Sequence, residues 1–306
     1  MKYNASTLVK LFSANRIFYK AIKIKVDTFL KQVYHFVIHT TRIILKINER
    51  LGLPFQGAYD VTDLTSNSVV QELFFLSNGY RLKGTLHLPS TPFPSIVFGS
   101  HGLLSTSKSP KQIELAHQCN AVGIAFFRFD HRGCGESEGD YKDIASLTGR
   151  CEDLARAIET IRLRNDIGGK IGFFGSSMGG AVSISSANRF KPDAMVTYAA
   201  PIRSRNINEV LEKEPDDNQT IGPLHDLNEL KFDLSDHLSN LHNILVIHGD
   251  ADQVVPVSHA HSIHNSARKP KKLILQKNGD HPMNNRVHQK NFIRETISWF
   301  KQYLLN

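Results

Sequence analysis

From residue 69 to the C-terminus, short apolar runs alternate with longer mixed segments. Runs of this length are typical of buried strands, and the segments between them are long enough for helices. Alternating strands and helices predict an α/β fold, in which a mostly parallel sheet carries helices on both faces. The predicted strands cover residues 69–76, 81–88, 95–98, 124–129, 170–174, 194–198, 244–247 and 272–275, and the predicted helices cover residues 111–121, 148–164, 181–190, 258–267 and 287–304.

Two departures from this alternation stand out within the α/β region. Ser77-Asn78-Gly79 separates the first two strands and predicts a hairpin turn. Residues 202–241 are polar and contain Pro215 and the pair Gly222-Pro223. An insert of this length in a compact domain is typically a lid or a disordered loop. Because it lies between two late strands, we predict a small lid above the carboxyl ends of the strands.

The first 50 residues follow another pattern, with no glycine or proline. Their apolar residues recur at steps of three and four, which predicts an amphipathic helical segment. This segment holds ten Lys/Arg against two acidic residues, whereas the remaining 256 residues hold 27 of each sign. We therefore predict a basic helical arm over residues 1–58 and a neutral α/β domain over residues 59–306.

Three hypotheses account for the arm. It packs on the domain or on a second copy of the chain, it lies on an anionic membrane surface, or it is an organelle transit peptide. No apolar run approaches the ~20 residues of a membrane span, and basic residues interrupt the apolar core that a signal peptide needs. Because the α/β domain is neutral, nucleic acid is not an expected partner.

Cysteine usage bears on the compartment and on metals. Cys119, Cys134 and Cys151 have no C-x-x-C spacing, so the sequence predicts neither a disulfide framework nor a zinc site. Such a count suits a reducing compartment. We expect a cytoplasmic protein, with the arm as its contact to a membrane if it has one.

Candidate chemistry begins at Gly175-Ser176-Ser177-Met178-Gly179, between a predicted strand and a predicted helix. Strand, G-x-S-x-G and helix form the context of a nucleophile elbow, a turn so tight that only glycine fits two residues either side of the nucleophile. This frame selects Ser177 over Ser176. A Gly- and Ser-rich turn could equally be a plain loop, so the assignment depends on partners for the serine.

A serine hydroxyl needs a base, and the base needs a group that orients it. Two later predicted strands end in segments that carry such groups. Residues 244–247 lead into His248-Gly249-Asp250-Ala251-Asp252, and residues 272–275 lead into a loop with Gly279-Asp280-His281. An acid and a histidine therefore follow Ser177 in the chain order of α/β-hydrolases.

From about residue 69 onward, the chain resembles α/β-hydrolases of the serine-aminopeptidase-like and cinnamoyl-esterase-like branch. The residues that carry the resemblance are His101-Gly102, Asp130-x-Arg132-Gly133-x-Gly135-x-Ser137, Gly175-x-Ser177-x-Gly179, His248-Gly249-x-x-Asp252-x-x-Val255-Pro256 and Gly279-Asp280-His281. The resemblance implies the α/β-hydrolase fold, Asp252 as the acid and His281 as the base. Asp250 is then a loop residue. The basic arm lies outside the resemblance.

The resemblance also implies an oxyanion hole, built from the backbone N–H groups of Met178 and Leu103. Met178 begins the elbow helix, and Leu103 follows His101-Gly102. The sequence His-Gly-Leu-Leu differs from the His-Gly-Gly-Gly of many lipases and esterases, which argues against that branch. Asp130 and Arg132 are expected to brace a turn near the site.

These features together predict a serine hydrolase that acts through an acyl-enzyme on a small-molecule ester or acyl substrate. Carboxylic esters are the first expectation, and a thioesterase or an aminopeptidase or acyl-peptide hydrolase with the same triad is the alternative. A catalytically silent binding protein is the alternative from another class. No metal and no organic cofactor are expected.

Overall fold

The computed structural model describes residues 68–140, 146–204 and 231–305. The predicted arm, and most of the predicted lid, therefore lie outside the described residues. An eight-stranded sheet forms the centre of the domain, in the order β1-β2-β4-β3-β5-β6-β7-β8. The strands are β1 (Val69–Ser77), β2 (Tyr80–Leu88), β3 (Ile96–Ser100), β4 (Ala125–Phe129), β5 (Ile171–Ser176), β6 (Ala194–Tyr198), β7 (Ile244–Gly249) and β8 (Lys271–Gln276).

Within the described residues, five α-helices cover the two faces of the sheet. They are α1 (Pro110–Ala121), α2 (Leu147–Arg162), α3 (Met178–Phe190), α4 (Ser258–Ser266) and α5 (Arg286–Leu304). Buried side chains of α2, α3 and α4 pack in one apolar cluster, and those of α1 and α5 pack in a second. Neighbouring strand residues alternate between the clusters, as Phe173 and Phe174 do in β5. Strands buried on both faces account for the continuous apolar runs in the sequence.

The first two strands form the antiparallel edge of the sheet. β1 pairs with β2, and β2 pairs antiparallel with β4, whereas the remaining neighbours pair in parallel. Asn78 and Gly79 both have positive φ angles, 48° and 91°, as a two-residue type I′ hairpin turn requires. The predicted hairpin is confirmed, and Ser77 belongs to β1 because its pairing with Tyr80 closes the ladder.

The predicted architecture, a mostly parallel sheet with helices on both faces, is confirmed. Each predicted strand and helix is present, with bounds that differ by a few residues. β5 and β7 extend two residues beyond the apolar runs, through Gly175-Ser176 and His248-Gly249. Parallel pairing with the neighbouring strands continues through these positions, although their side chains are small or polar.

Residues 202–204 and 232–234, on either side of the undescribed part of the insert, are hydrogen-bonded to each other. The N–H of Leu234 donates to the carbonyl of Ile202 at 2.8 Å, and Arg203 bridges to Asp233. Ser235–Asn240 then forms a 3₁₀ helix, which buries Leu238. Residues 205–230 of the predicted lid lie outside the described residues. Across the three described ranges, no helix is both long enough and apolar enough to cross a membrane.

Candidate active site

The loop between β5 and α3 makes a very sharp turn at Ser177. Ser177 has φ 52° and ψ −123°, a combination that costs a non-glycine residue on the order of 1–3 kcal/mol. A methyl group on Gly175 would collide with the backbone of Gly179, and one on Gly179 would collide with the carbonyl of Ser100. The glycines therefore allow the turn to close against β3, and Ser177 stays partly exposed at its tip.

The structure brings Ser177, His281 and Asp252 together, although 104 residues separate the first two. Nε2 of His281 lies 3.1 Å from Oγ of Ser177, and Nδ1 lies 2.7 Å from Oδ2 of Asp252. Because a carboxylate can only accept, Nδ1 carries the proton, and Nε2 is free to accept from the serine hydroxyl. The arrangement can take a proton from Ser177 without rearranging.

The carboxylate of Asp252 has hydrogen-bond partners besides His281. Its Oδ1 accepts from the N–H groups of Val254 and Val255, both at 2.8 Å. Its Oδ2 also lies 3.3 Å from Nε2 of His248, which is fully buried. Burial alone would raise the pKa of Asp252, but the hydrogen bonds from His248 and His281 outweigh it and hold the pKa well below its usual range. Asp252 is therefore a carboxylate at neutral pH.

Asp250 has a different environment. It is exposed, and its Oδ1 accepts from the N–H of Asn278 at 2.6 Å. This contact ties the loop after β7 to the loop that carries His281. A methyl group on Gly249 would collide with the carbonyl of Gly279, so the two loops also touch through their backbones. Asp250 thus contacts the loop of His281 and not its ring.

Two further side chains hold the histidine loop from the side of α1 and β6. The hydroxyl of Tyr198 donates to the carbonyl of Asp280 at 2.8 Å. Nζ of Lys111 donates to the carbonyl of Pro282 at 2.9 Å. These bonds lie on either side of His281 in the chain, so they fix the backbone that presents its ring.

The loop after β3 lies directly beside Ser177. A methyl group on Gly102 would stand 3.5 Å from Cβ of Ser177. Met178 is the first residue of α3, so its N–H has no acceptor within the helix. Within the described residues, the N–H of Leu103 donates to no backbone carbonyl. Both predicted oxyanion donors are therefore in the neighbourhood of the serine with their N–H groups available.

Asp130 and Arg132 lie in the turn after β4. The carboxylate of Asp130 accepts from the N–H groups of Ser107 and Glu136, at 2.7 and 3.0 Å. Arg132 donates through Nε and Nη2 to Asp153, which is fully buried. Their described contacts tie this turn to neighbouring loops and to α2, and they do not include Ser177, His281 or Asp252.

Two residues around the site, His248 and Arg150 of α2, are not predicted as functional by the sequence analysis above. His248 enters it only as part of a motif. A signal existed for Arg150. The buried face of α2 includes Leu154, Ala157, Ile158 and Ile161, and Arg150 falls on that face at the same three- and four-residue steps. A charged residue on an apolar face indicates a buried polar contact.

The described residues contain no cluster of three or more His, Cys, Asp or Glu side chains that could hold a metal ion.

Part of this chain matches a known family model, and most of it is similar to a bacterial protein. The family model described as serine aminopeptidase, S33, matches residues 92–214. The uncharacterized protein YfhR of Escherichia coli K12 is 28% identical over 216 residues, which cover 68% of this chain and 72% of YfhR. The match to the family model includes the loop after β3 and the elbow.

Solved structures resemble the whole α/β domain. Est1E of Butyrivibrio proteoclasticus, solved with bound ferulic acid, aligns with a TM-score of 0.63 at 17% identity, over 76% of this chain and 100% of Est1E. The esterase Pf2001 of Pyrococcus furiosus aligns with a TM-score of 0.64 at 16% identity, over 81% of this chain and 97% of Pf2001. At such identities the likeness shows the fold, which is the α/β-hydrolase fold.

Proposed function

We propose that this chain, which belongs to the α/β-hydrolase superfamily, is a serine hydrolase that cleaves carboxylic esters through an acyl-enzyme intermediate. The observation that carries the proposal is the chain of hydrogen bonds from Ser177 through His281 to Asp252. Three groups that must act in sequence are within hydrogen-bond reach of one another. We assign them as the catalytic triad.

In the proposed reaction, Oγ of Ser177 attacks the ester carbonyl carbon while Nε2 of His281 takes the hydroxyl proton. Asp252 stabilises the imidazolium that forms. The negative charge that develops on the carbonyl oxygen is held by the N–H groups of Leu103 and Met178. His281 then gives its proton to the leaving alcohol, and the acyl group stays on Ser177. A water molecule, activated by His281, releases the acid by the same steps.

Two features of similar proteins support an ester substrate. Pf2001 is an esterase, and Est1E binds ferulic acid, a carboxylic acid of the kind that ester hydrolysis releases. The family model's description instead favours N-terminal peptide amides. The same triad can attack either carbonyl, because the leaving group takes its proton from His281 in both cases. A substrate panel of p-nitrophenyl esters, acyl thioesters and aminoacyl p-nitroanilides distinguishes these classes.

The full-length protein should be tested with a fluorophosphonate probe, which labels only activated serines. We expect labelling of the wild type, none of Ser177→Ala, and labelling of Ser176→Ala at close to the wild-type rate. Ser177→Ala should also lower kcat on p-nitrophenyl acetate by on the order of 10⁶-fold. A folded wild-type protein that neither labels nor turns over any member of the panel would make this a catalytically silent hydrolase fold.

A further inference from the structure

Arg150 of α2 is a fully buried arginine whose guanidinium binds the loop beside Ser177. Nη1 donates to the carbonyl of His101 at 3.2 Å and to that of Gly102 at 3.4 Å. Nη2 donates to the carbonyl of Leu103 at 3.1 Å and contacts Sγ of Cys134 at 3.4 Å. One planar fork therefore holds three consecutive carbonyls, which a lysine ammonium could not do with the same geometry.

His101 holds the middle one of these carbonyls from a second direction. Nδ1 of His101 lies 2.8 Å from the carbonyl of Gly102, and Nε2 accepts from the N–H of His131 at 3.1 Å. Because Nε2 is the acceptor, the neutral ring carries its proton on Nδ1 and donates it to Gly102. Two donors thus fix the plane of the peptide between Gly102 and Leu103.

The direction of the carbonyl fixes the direction of the N–H in the same peptide. In a trans peptide the C=O and N–H groups point in opposite directions. The N–H of Leu103 therefore points away from Arg150. Gly102, whose carbonyl belongs to this peptide, lies beside Ser177, since a methyl group added to it would stand 3.5 Å from Cβ of Ser177.

We propose that Arg150 is a positioning residue, which orients the Leu103 N–H as a donor to the oxyanion that forms at Ser177. This inference rests on the proposed function and adds to it. An oxyanion hole stabilises the transition state only if its donors already point at the oxyanion when the charge develops. Reorienting them during the reaction would cost the free energy that the hydrogen bonds provide. Among the described residues, the Arg150 guanidinium donates hydrogen bonds to the loop after β3 and to Cys134, so its proposed effect on Ser177 is exerted through that loop.

The test compares Arg150→Lys with Arg156→Lys in the full-length protein. Both positions lie on α2, but Arg156 is partly exposed and pairs with Glu152 and Glu159. On p-nitrophenyl acetate, Arg150→Lys should lower kcat about 10²-fold with KM within threefold of wild type. Binding of a trifluoromethyl ketone, which forms a tetrahedral oxyanion on Ser177, should weaken by the same factor. Arg156→Lys should match the wild type in both measurements.

A purely structural role for Arg150 would give a different pattern. It would lower the melting temperature and leave kcat of the folded fraction within threefold of wild type. That result, or a loss confined to KM, would overturn the inference. The proposed function fails separately, because it requires that the wild type labels with fluorophosphonate and turns over an ester.

Should Arg150→Lys not fold, a pair of substitutions at His101 tests the same peptide. Asparagine places an amide N–H where Nδ1 stands and can still donate to Gly102, whereas glutamine places its polar group near Nε2. We expect His101→Gln to lose kcat about tenfold or more and His101→Asn to retain more of it. Equal kcat values in the two variants, at equal folded fraction, would count against the orientation of Leu103 by its peptide carbonyl.

Discussion

Replacing Asp252 by asparagine should remove most of the activity while leaving the shape of the side chain almost unchanged. The structure determines how the amide must sit. Oδ1 accepts two backbone N–H groups, from Val254 and Val255, so the carbonyl oxygen of the asparagine has to take that position. The NH₂ group then replaces Oδ2 and faces Nδ1 of His281.

An NH₂ group at this position reverses the hydrogen bond to His281. Nδ1 must now accept, so the ring proton moves to Nε2, the atom that should receive the proton of Ser177. The same NH₂ also faces Nε2 of His248. That nitrogen carries a proton, because it donates to the carbonyl of Val255 at 2.9 Å. The amide therefore holds His281 in the wrong tautomer, and its NH₂ group faces the N–H of His248, which is a second donor.

The magnitude follows from the wrong tautomer. Loss of the correct tautomer in a triad costs roughly 10⁴-fold in kcat, or about 5 kcal/mol of transition-state stabilisation. The assay is initial-rate hydrolysis of p-nitrophenyl acetate, with circular dichroism to measure the folded fraction. Labelling by fluorophosphonate should slow in parallel, because it needs the same base.

Asp250→Asn is the matched control, two residues away and exposed. Its side-chain oxygen can still accept from Asn278, so kcat should stay within about threefold of wild type. The reasoning would be refuted if Asp252→Asn kept activity within tenfold of wild type. It would also be refuted if Asp250→Asn lost as much as Asp252→Asn.

Two further predictions follow from the packing of the loops. Gly179→Ala should lower the free energy of unfolding by about 1–3 kcal/mol and disrupt the elbow, because its methyl group meets the Ser100 carbonyl. Gly169 has open space around it, so Gly169→Ala should change that free energy by under about 0.5 kcal/mol. Urea unfolding measures both. Burial lowers the pKa of His131 to about 4 in the folded state. In the unfolded chain a histidine has a pKa of about 6.5, so between these two pH values the unfolded state binds a proton that the folded state does not. The free energy of unfolding should then fall as pH drops from about 6.5 to about 4, by at most about 1.4 kcal/mol per pH unit from this group. His131→Gln should flatten that slope in urea titrations at several pH values, and the exposed His261→Gln should not; equal slopes in both variants would contradict the assignment.

Several elements of the site could be predicted from sequence because local chemistry determines them. The elbow needs glycines at both positions, since a Cβ on Gly175 would meet the backbone of Gly179 and one on Gly179 would meet the carbonyl of Ser100 in β3. Apolar runs buried on both faces predict parallel strands, and the carboxyl ends of parallel strands meet at one edge of a sheet. Ser177, Asp252 and His281 follow such strands, so their proximity could be expected before any coordinates.

Which of Asp250 and Asp252 contacts the histidine could not be predicted from residue types alone. Both acids lie in the same loop after β7, and the residues alone left them open until the family resemblance pointed to Asp252. In the structure, the two N–H groups of Val254 and Val255 turn the Asp252 carboxylate inward, toward His281. Asp250 turns outward to Asn278. Loop curvature, and not residue type, separates them.

Chain order, spacing and the elbow were thus determined by the sequence itself, because they depend on periodicity and on the conformations that each residue type allows. Only the tertiary structure decided which side chains support the site. Arg150 reaches carbonyls 47 to 49 residues earlier in the chain, and His248 meets Asp252 only because β7 ends where it does. A buried guanidinium is stable only where acceptors converge on it, and for Arg150 that convergence arises from the packing of α2 against the sheet and not from any local pattern.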